Sequence, residues 1–327
     1  MLYTDLSMGI VRVTELAALS CAKYMGRGDK DLAFRAAVEG LRSAMIKLPI
    51  KGTVVVTESS ADGDYILNKG DKLGVWKDDM PEYDIAVDPL DGAVLIAKGL
   101  PNAMSVIAVG PKGSLFKAPD VYMQKIVAGP EARGVIDINK SIDENIKNVA
   151  KALDKDISEL TVIIQDRPRH EKLIRDARAA GARVKLFGEG DVAAALAALF
   201  DDTGVDLFVG TGGASEGVIA AAAVKCLGGH MQAKFLPKDD KEKDELSKLG
   251  IDNVDSVLTV DDLVKTQDVF FAATGITDCD LLKGVVYHEN EMATTNSVVL
   301  RSKTGSIRFV EARHAIKKST VNVFVKR

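Results

Sequence analysis

The chain has 327 residues, of which 46% are hydrophobic and 28% charged, a composition typical of globular proteins. Its formal net charge of −4 argues against a basic surface for nucleic acid or anionic lipid, and 5% aromatic residues leave little to stack on single-stranded bases. The length exceeds that of a usual single core, so we expect two lobes or one large layered α/β domain.

Cysteine usage and the N-terminal sequence indicate a cytoplasmic protein. Cys21, Cys226 and Cys279 lie far apart and lack CxxC spacing, which is typical of a reduced chain without structural zinc. The N-terminus lacks the basic and apolar regions of a signal peptide, and no apolar run approaches the roughly 18 residues that span a membrane. We therefore expect no membrane partner.

Apolar spacing predicts two N-terminal helices, at 7–25 and 31–46, followed by strands and loops. From about residue 160 strands and helices alternate, which predicts a largely parallel sheet with helices on both faces and a lobe boundary near 155–165. The predicted strands are 53–56, 84–88, 104–109, 121–127, 160–164, 184–187, 205–209, 229–235, 268–273, 284–287, 295–301 and 306–310; the later helices are 142–153, 168–180, 191–200 and 215–226, with a charged helix or loop at 238–248.

The segment from Asp84 to Ala93, DIAVDPLDGA, contains the first candidate metal-binding residues. Asp88 ends an apolar strand, and Asp91 lies on the proline turn beyond it. Two carboxylates held this close repel each other and favour a divalent cation or a proton between them. Hard oxygen ligands of this kind suit Mg²⁺ or Mn²⁺. An ordinary strand followed by a turn is the alternative interpretation.

Two further strand ends carry acidic residues. Glu58 follows the strand at 53–56, and Glu216 lies in the glycine-rich segment 212–217 after the strand at 205–209. Because ligands of open α/β sheets bind beyond the carboxyl ends of strands, Glu58, Asp88 and Glu216 could converge on one point. The glycine-rich turn at a helix N-terminus also favours an anion, and Glu216 is either a helix-dipole partner or a metal ligand.

The loops after the strands at 160–164 and 184–187 supply candidate phosphate and sugar ligands. Arg167 and Arg169 suit bidentate phosphate binding, with a solvated loop as the alternative. Asp191 could be a helix N-cap or an acceptor for sugar hydroxyls. The other histidines considered have no partner at ligand spacing, so we interpret them as structural: His230, His288 and His314.

Together these segments resemble class II fructose-1,6-bisphosphatases, members of the lithium-sensitive, metal-dependent sugar phosphatase superfamily. The resemblance extends in order over nearly the whole chain. The matching segments are VRVTELAAL (11–19), MGRGDK (25–30), DIAVDPLDG (84–92), APDVYMQKI (118–126), RPRHEK (167–172), GDVAAA (190–195), GTGGASEG (210–217), FAATGITD (271–278) and LRSKTGSIRFVEARH (300–314).

The resemblance implies a layered α/β/α/β/α sugar-phosphatase fold of two lobes with mixed sheets. An N-terminal α+β lobe, 1–160, would carry most metal ligands, and a C-terminal α/β lobe, 161–327, the sugar-phosphate-binding loops. It further implies hydrolysis of the 1-phosphate of fructose 1,6-bisphosphate in gluconeogenesis, with sedoheptulose 1,7-bisphosphate as a substrate of some relatives. Mn²⁺ or Mg²⁺ would be the cofactor, and a homodimer or homotetramer the assembly.

Residue roles follow from the resemblance by position. Metal ligands would be Glu58, Asp88, Asp91 and Glu216, the first three of them also catalytic. Divalent ions held by carboxylates polarise phosphoryl oxygens and activate water, while arginines hold the non-reacting phosphate. The sugar bisphosphate would contact Asp91, Gly92, Ala93, Tyr122, Arg167, Arg169, Glu189, Asp191 and Gly213.

The chain departs from the family pattern at positions where the family has metal-binding or water-activating side chains. Ala93 replaces a threonine whose hydroxyl positions the attacking water, Phe34 replaces a metal-binding aspartate, and Ser60 replaces a glutamate. Asp31 could take the place of that aspartate only if its helix shifted.

These departures leave two hypotheses. In one the chain is an active but altered phosphatase in which the metal supplies hydroxide and Asp62 or Asp64 substitutes as a ligand. In the other it is a catalytically impaired paralogue that binds sugar phosphate, or a partner subunit, without efficient turnover. A third possibility, inositol or nucleotide phosphate as substrate, depends only on the turn shared across the superfamily.

Overall fold

The structure, a computed structural model, describes residues 6–57 and 67–316. Its helices are α1 Leu6–Cys21, α2 Lys30–Met45, α3 Ala93–Lys98, α4 Ile142–Ala152, α5 Glu171–Ala179, α6 Asp191–Ala197, α7 Ala214–Leu227, α8 Asp240–Ser247 and α9 Val260–Leu263. Its strands are β1 Lys51–Thr57, β2 Lys72–Leu73, β3 Glu82–Asp91, β4 Met104–Pro111, β5 Tyr122–Ala128, β6 Thr161–Gln165, β7 Arg183–Phe187, β8 Leu207–Gly213, β9 His230–Leu236, β10 Leu258–Thr259, β11 Phe270–Gly275, β12 Val286–His288, β13 Met292–Arg301 and β14 Ser306–Ala315.

The predicted helices and strands are present with shifted ends, and the charged segment at 238–248 forms α8 rather than a loop. The short helix α3 after the DPLDG turn has no counterpart in the sequence prediction. Gly92 precedes it with φ 92° and Gly99 ends it with φ 68°, both in the left-handed region that favours glycine. This tight turn starts a helix immediately beyond Asp91.

The elements stack in five layers, which confirms the predicted α/β/α/β/α arrangement. Helices α1 and α2 pack on the outer face of the first sheet, and α4 and α5 on the outer face of the second. Between the sheets lie α6 and α7; α7 contacts β3, β4 and β11 on one side and β5, β8 and β9 on the other. Since α7 has a sheet on each side, its alanine-rich sequence is buried nearly all round.

The strand order corrects the expectation of a largely parallel sheet. The second sheet has the order β10-β9-β5-β8-β6-β7, in which only β6 with β7 and β6 with β8 are parallel. Strands β8 and β9, joined through α7, run in the same direction, but β5 lies antiparallel between them. The alternation of strands and helices therefore predicted the connection from β8 through α7 to β9. It did not predict that β5, which precedes them in the sequence, lies between the two strands.

The first sheet has the order β12-β13-β11-β4-β3-β1-β2, with β14 also paired to β13, and only β1 with β3 is parallel. Strands β11 to β14 therefore return to the sheet begun by β1 to β4, whereas β5 belongs to the second sheet. The sequence boundary near residue 160 does not separate the two sheets.

The described residues contain no helix that is both long and apolar enough to cross a bilayer.

Close packing of α1 on α2 generates a stability prediction at Gly40. A Cβ there would collide with the backbone carbonyl of Leu16, which cannot move independently, so we expect Gly40→Ala to lower the free energy of unfolding by ~1–3 kcal/mol. At Gly9 a Cβ would lie 2.7 Å from the side-chain tip of Leu48, which can rotate away.

Urea denaturation of both alanine variants tests this difference. Gly9→Ala is the matched control, because both positions are helical and alanine favours a helix by up to ~1 kcal/mol over glycine. Equal stability of the two variants would contradict the proposed role of backbone contact at Gly40.

Candidate active site

A cavity of about 400 Å³ lies where β1, β3, β6 and β8 end and α3, α6 and α7 begin. Both acidic and basic side chains form its wall. The acidic residues are Asp91, Asp120, Glu189, Asp191 and Glu216, and the basic residues are Lys30, Lys69, Arg167 and Arg169. The cavity is therefore suited to a ligand with anionic groups, together with a cation.

Most of the residues proposed from the sequence lie on this wall. They are Asp91, Gly92, Ala93, Tyr122, Arg167, Arg169, Glu189, Asp191, Gly213 and Glu216. Asp88, which is 1% exposed, lies in β3 before the turn and is not among the described wall residues. Glu58, Ser60, Asp62 and Asp64 lie outside the described residues, although Thr57, directly before Glu58, does line the cavity.

Hydrogen bonds connect the end of β3 to its own DPLDG turn and to α6. The Leu90 N–H donates to Asp88 Oδ1 at 2.9 Å, and the Ala193 N–H donates to Asp91 Oδ2 at 3.3 Å. Both carboxylates are removed from water, Asp91 being 5% exposed. One backbone N–H therefore holds each carboxylate in place at this edge of the sheet.

Glu216 lies in the first turn of α7 and lines the same cavity as the β3 turn. Burial raises the pKa of its carboxyl; the Lys125 charge lowers that pKa, and the Asp191 carboxylate raises it. A carboxylate destabilised by lost hydration favours a nearby cation.

The carboxylates fit a hard divalent cation in their chemistry. Asp88 and Asp91 are buried and Glu216 is half-buried, and their carboxylate oxygen atoms are of the donor type that Mg²⁺ and Mn²⁺ prefer. Within 6–57 and 67–316, however, no three His, Cys, Asp or Glu side chains gather closely enough to hold a metal ion. The described residues therefore supply part of a donor set, and the metal role of all four predicted ligands stays a prediction.

The Arg169 guanidinium donates hydrogen bonds only to uncharged oxygen atoms among the contacts described. Its Nε and Nη2 donate to the Thr211 carbonyl at 3.1 and 2.8 Å, and Nη2 also donates to Gln165 Oε1 at 2.6 Å. The guanidinium lies 5.2 Å from the centre of the Tyr122 ring. Because these contacts orient the group without neutralising it, its positive charge remains available to a phosphate.

Arg167 is less firmly held and has an acidic neighbour. Its Nη2 lies 3.6 Å from Glu189 Oε1, and Nη1 donates to the Asp166 carbonyl at 3.3 Å. Glu189 Oε2 in turn accepts the Val94 N–H of α3 at 3.2 Å. Glu189 therefore links Arg167 to the start of α3, directly after the turn that carries Asp91.

The glycines of the 210–217 segment permit close approach of acidic side chains. A Cβ at Gly212 would collide with the Asp191 carboxylate, and a Cβ at Gly213 would collide with the Glu216 carboxylate. The sequence predicted a backbone anion site at this turn. The structure shows that these two positions also make room for carboxylates.

Sequence reasoning missed Lys125, which is almost fully buried beside the cavity wall. Its Nζ donates to Asp191 Oδ2 at 2.7 Å and to the Gly213 carbonyl at 3.1 Å. The available signal was a lysine inside the apolar strand predicted at 121–127, where a charge requires a partner. Lys30, Lys69 and Asp120 on the wall were missed as well.

His170 fixes the segment that holds Arg169. The Thr211 N–H donates to His170 Nε2 at 2.9 Å, so Nδ1 carries the proton and donates to the Gln165 carbonyl at 2.9 Å. Burial is the main cause that lowers the pKa of His170. Protonation would remove the acceptor for Thr211 and place a charge in a buried position.

Stability should therefore fall at acid pH. A histidine whose pKa is lowered in the folded state binds its proton more readily when unfolded, so the free energy of unfolding decreases as pH falls below the ordinary value of 6.5. Burial lowers the pKa of His230 and His314 in the same direction.

Urea denaturation across this pH range measures the contribution of His170. We expect His170→Gln to cost ~1–3 kcal/mol at neutral pH through lost buried hydrogen bonds and to flatten the pH dependence below 6.5. An unchanged pH slope in the variant would rule out His170 as a contributor.

Phe34, which the resemblance places where the family has an aspartate, is a core residue of α2. It is 6% exposed and packs in the core between α1, α2 and the first sheet. Asp31 is exposed and is not among the described wall residues, whereas Lys30, one turn before Phe34, lines the cavity.

Phe34→Asp should therefore destabilise the fold rather than simply restore a ligand. Loss of the buried ring alone costs ~3–5 kcal/mol, and an unpaired carboxylate adds to this. Phe34→Leu, the apolar control, should lose less than ~1.5 kcal/mol. If both variants unfold at the same urea concentration, position 34 is more accessible to water or a cation than its packing indicates.

Comparisons with known proteins agree with the sequence resemblance. The family model described as bacterial fructose-1,6-bisphosphatase, glpX-encoded, matches residues 4–314. A Synechococcus sp. (strain JA-2-3B'a(2-13)) protein named D-fructose 1,6-bisphosphatase class 2/sedoheptulose 1,7-bisphosphatase is 40% identical over 94% of this chain and 95% of its own. A protein of the same name from Synechocystis sp. (strain ATCC 27184 / PCC 6803 / Kazusa) is 39% identical over 95% and 96%.

Among solved structures, the Thermotoga maritima IMPase aligns with 63% of this chain and 76% of its own at 17% identity and a TM-score of 0.36. The extragenic suppressor protein suhB from Bartonella henselae aligns with 60% and 73% at 14% identity and a TM-score of 0.34.

Proposed function

This chain belongs to the bacterial, glpX-encoded fructose-1,6-bisphosphatase family, and on that premise we propose that its cavity binds fructose 1,6-bisphosphate and hydrolyses the 1-phosphate. One observation carries the proposal: carboxylates from β3 and α7 share a cavity with Arg167 and Arg169. Sedoheptulose 1,7-bisphosphate, named for both cyanobacterial relatives, presents the same two phosphates and is a second candidate substrate.

Asp88, Asp91 and Glu216, together with Glu58, would hold Mg²⁺ or Mn²⁺ in this proposal. The bound ion would polarise the phosphoryl oxygens and lower the pKa of a water. The buried carboxylates of Asp88 and Asp91 favour such an ion because they lack full hydration of their own charge.

The remaining wall residues would bind and orient the sugar bisphosphate. Arg169, already oriented by Thr211 and Gln165, would bind the non-reacting phosphate through its planar guanidinium. Arg167 would add a second positive charge on the same side, and Asp191 would accept hydrogen bonds from sugar hydroxyls. Positioning of this kind contributes to the rate because the reacting phosphate is then held near the carboxylates.

We further propose a homodimer or homotetramer in the cytoplasm, as the family resemblance implies. Sedimentation of the purified chain would distinguish these assemblies from a monomer.

The catalytically impaired paralogue remains the second candidate because of Ala93. This residue begins α3 and lines the cavity, but its methyl group can neither position nor deprotonate water. Phe34 adds to the case, since α2 supplies no carboxylate at that position. Binding of the bisphosphate without efficient turnover is the behaviour these two residues favour.

Phosphate release from fructose 1,6-bisphosphate, with and without Mg²⁺ or Mn²⁺, tests both candidates. We expect metal-dependent release from the parent chain and a rise of ~10²–10⁴-fold in Ala93→Thr, because a hydroxyl would return beside the reacting group. Ala93→Val is the matched control: valine has the branched shape of threonine without its hydroxyl.

The outcomes separate the hypotheses. Release by the parent supports the phosphatase, whereas tight binding without release supports the impaired paralogue. If the parent chain and Ala93→Thr both fail to bind the bisphosphate and to release phosphate, the proposed function is wrong. A gain in Ala93→Val equal to that in Ala93→Thr would show that shape, not the hydroxyl, limits the rate.

A further inference from the structure

Lys125 is an interior lysine beside the cavity, and none of the roles proposed above involves it. It lies in the middle of β5, between β8 and β9, and is 2% exposed. A buried ammonium group is strongly unfavourable unless it is paired and hydrogen-bonded. Its partners therefore indicate why a charge is retained there.

The two partners of Lys125 belong to different elements of the site. Nζ donates to Asp191 Oδ2 at 2.7 Å, at the start of α6, and to the Gly213 carbonyl at 3.1 Å, at the end of β8. Gly213 leads directly into the turn of α7 that carries Glu216. One ammonium group thus connects the segments that bring Asp191 and Glu216 to the cavity.

The space around Lys125 fits an unbranched lysine chain. A Cβ at Gly212 would lie 3.2 Å from Lys125 Nζ, and one at Gly217 would lie 3.4 Å from its Cδ. The Asp191 side chain, 10% exposed, reaches the cavity wall while its Oδ2 faces the lysine. The glycines, the lysine and the aspartate therefore form one packed unit.

We propose that Lys125 is a positioning residue for the sugar bisphosphate. By binding Asp191 Oδ2 it fixes the direction in which this carboxylate meets the ligand. By binding the Gly213 carbonyl it fixes the segment that leads into the first turn of α7, which carries Glu216. Lys125 does not itself belong to the described cavity wall, so it acts through these two groups. The inference rests on the proposed function, in which Asp191 contacts the sugar.

Binding of fructose 1,6-bisphosphate to Lys125→Met, Asp191→Asn and the double variant tests the proposal. Calorimetry in metal-free buffer gives Kd, and steady-state assays with Mg²⁺ give KM and kcat. We expect Lys125→Met to raise Kd and KM by ~10–100-fold, with a smaller effect on kcat, because loss of a supporting group misorients the residue it holds.

Non-additivity is the second expected result. If Lys125 acts through Asp191, the double variant should bind no more weakly than the weaker single variant. Lys155→Met is the matched control: Lys155 Nζ lies 2.6 Å from Asp206 Oδ1, in a pair whose residues are not among the described wall residues. It should leave Kd unchanged.

Several results would overturn the proposal. One is a Kd for folded Lys125→Met within about twofold of the parent; another is a double variant whose loss equals the product of the single losses. If Lys125→Met fails to fold, the double variant, with its neutral pair, carries the test. Affinity like that of Asp191→Asn then supports the proposal, and parent-like affinity overturns it.

A ligand-free crystal structure distinguishes failure of this inference from failure of the proposed function. If the parent chain itself binds no bisphosphate, the proposed function fails. The positioning role is then tested by whether the Asp191 side chain or the Gly213 carbonyl moves in Lys125→Met. If Lys125→Met does not fold, the test is whether the Gly213 carbonyl moves in the double variant. Parent-like positions of these groups would overturn the inference.

Discussion

The burial of carboxylates around one cavity is the constraint on which the rest of the site depends. Asp91 and Glu216 reach this cavity from β3 and from α7, and Asp191 reaches it from α6. Like charges in a poorly hydrated space repel, so the fold must provide positive charge or hydrogen-bond donors nearby. It does so with Lys125 under Asp191 and with backbone N–H groups at Asp91.

The five-layer arrangement explains why these groups can meet. Helix α7 lies between the two sheets and contacts strands of both, and residues of its first turn line the same cavity as the end of β3. The loop that follows β6 brings the arginines to the same edge. Arg169 is oriented by carbonyl and amide oxygens and keeps its charge for a ligand. Acidic and basic groups thus occupy one site without neutralising each other completely.

The family resemblance implies departures at particular positions of this chain. Ala93 and Phe34 stand where the resemblance implies a threonine and an aspartate, whereas the arginines, Tyr122 and Asp191 lie on the cavity wall. Phe34 is integrated into the core between α1, α2 and the first sheet, so the change at this position also serves packing. In the proposed function, the residues that would bind the sugar bisphosphate are therefore more complete than those that would activate water.

The sequence by itself determined the elements and the family. Apolar periodicity is a local property, so α1, α2 and most strands could be placed from it, and the nine matching segments identified the family. It also selected ten of the residues on the cavity wall. Only the tertiary structure decided that β5 lies between β8 and β9, because strand neighbours depend on contacts between distant parts of the chain. For the same reason only the fold paired Lys125 with Asp191: the two residues are 66 positions apart, and no local pattern records a buried ion pair between a strand and a distant helix.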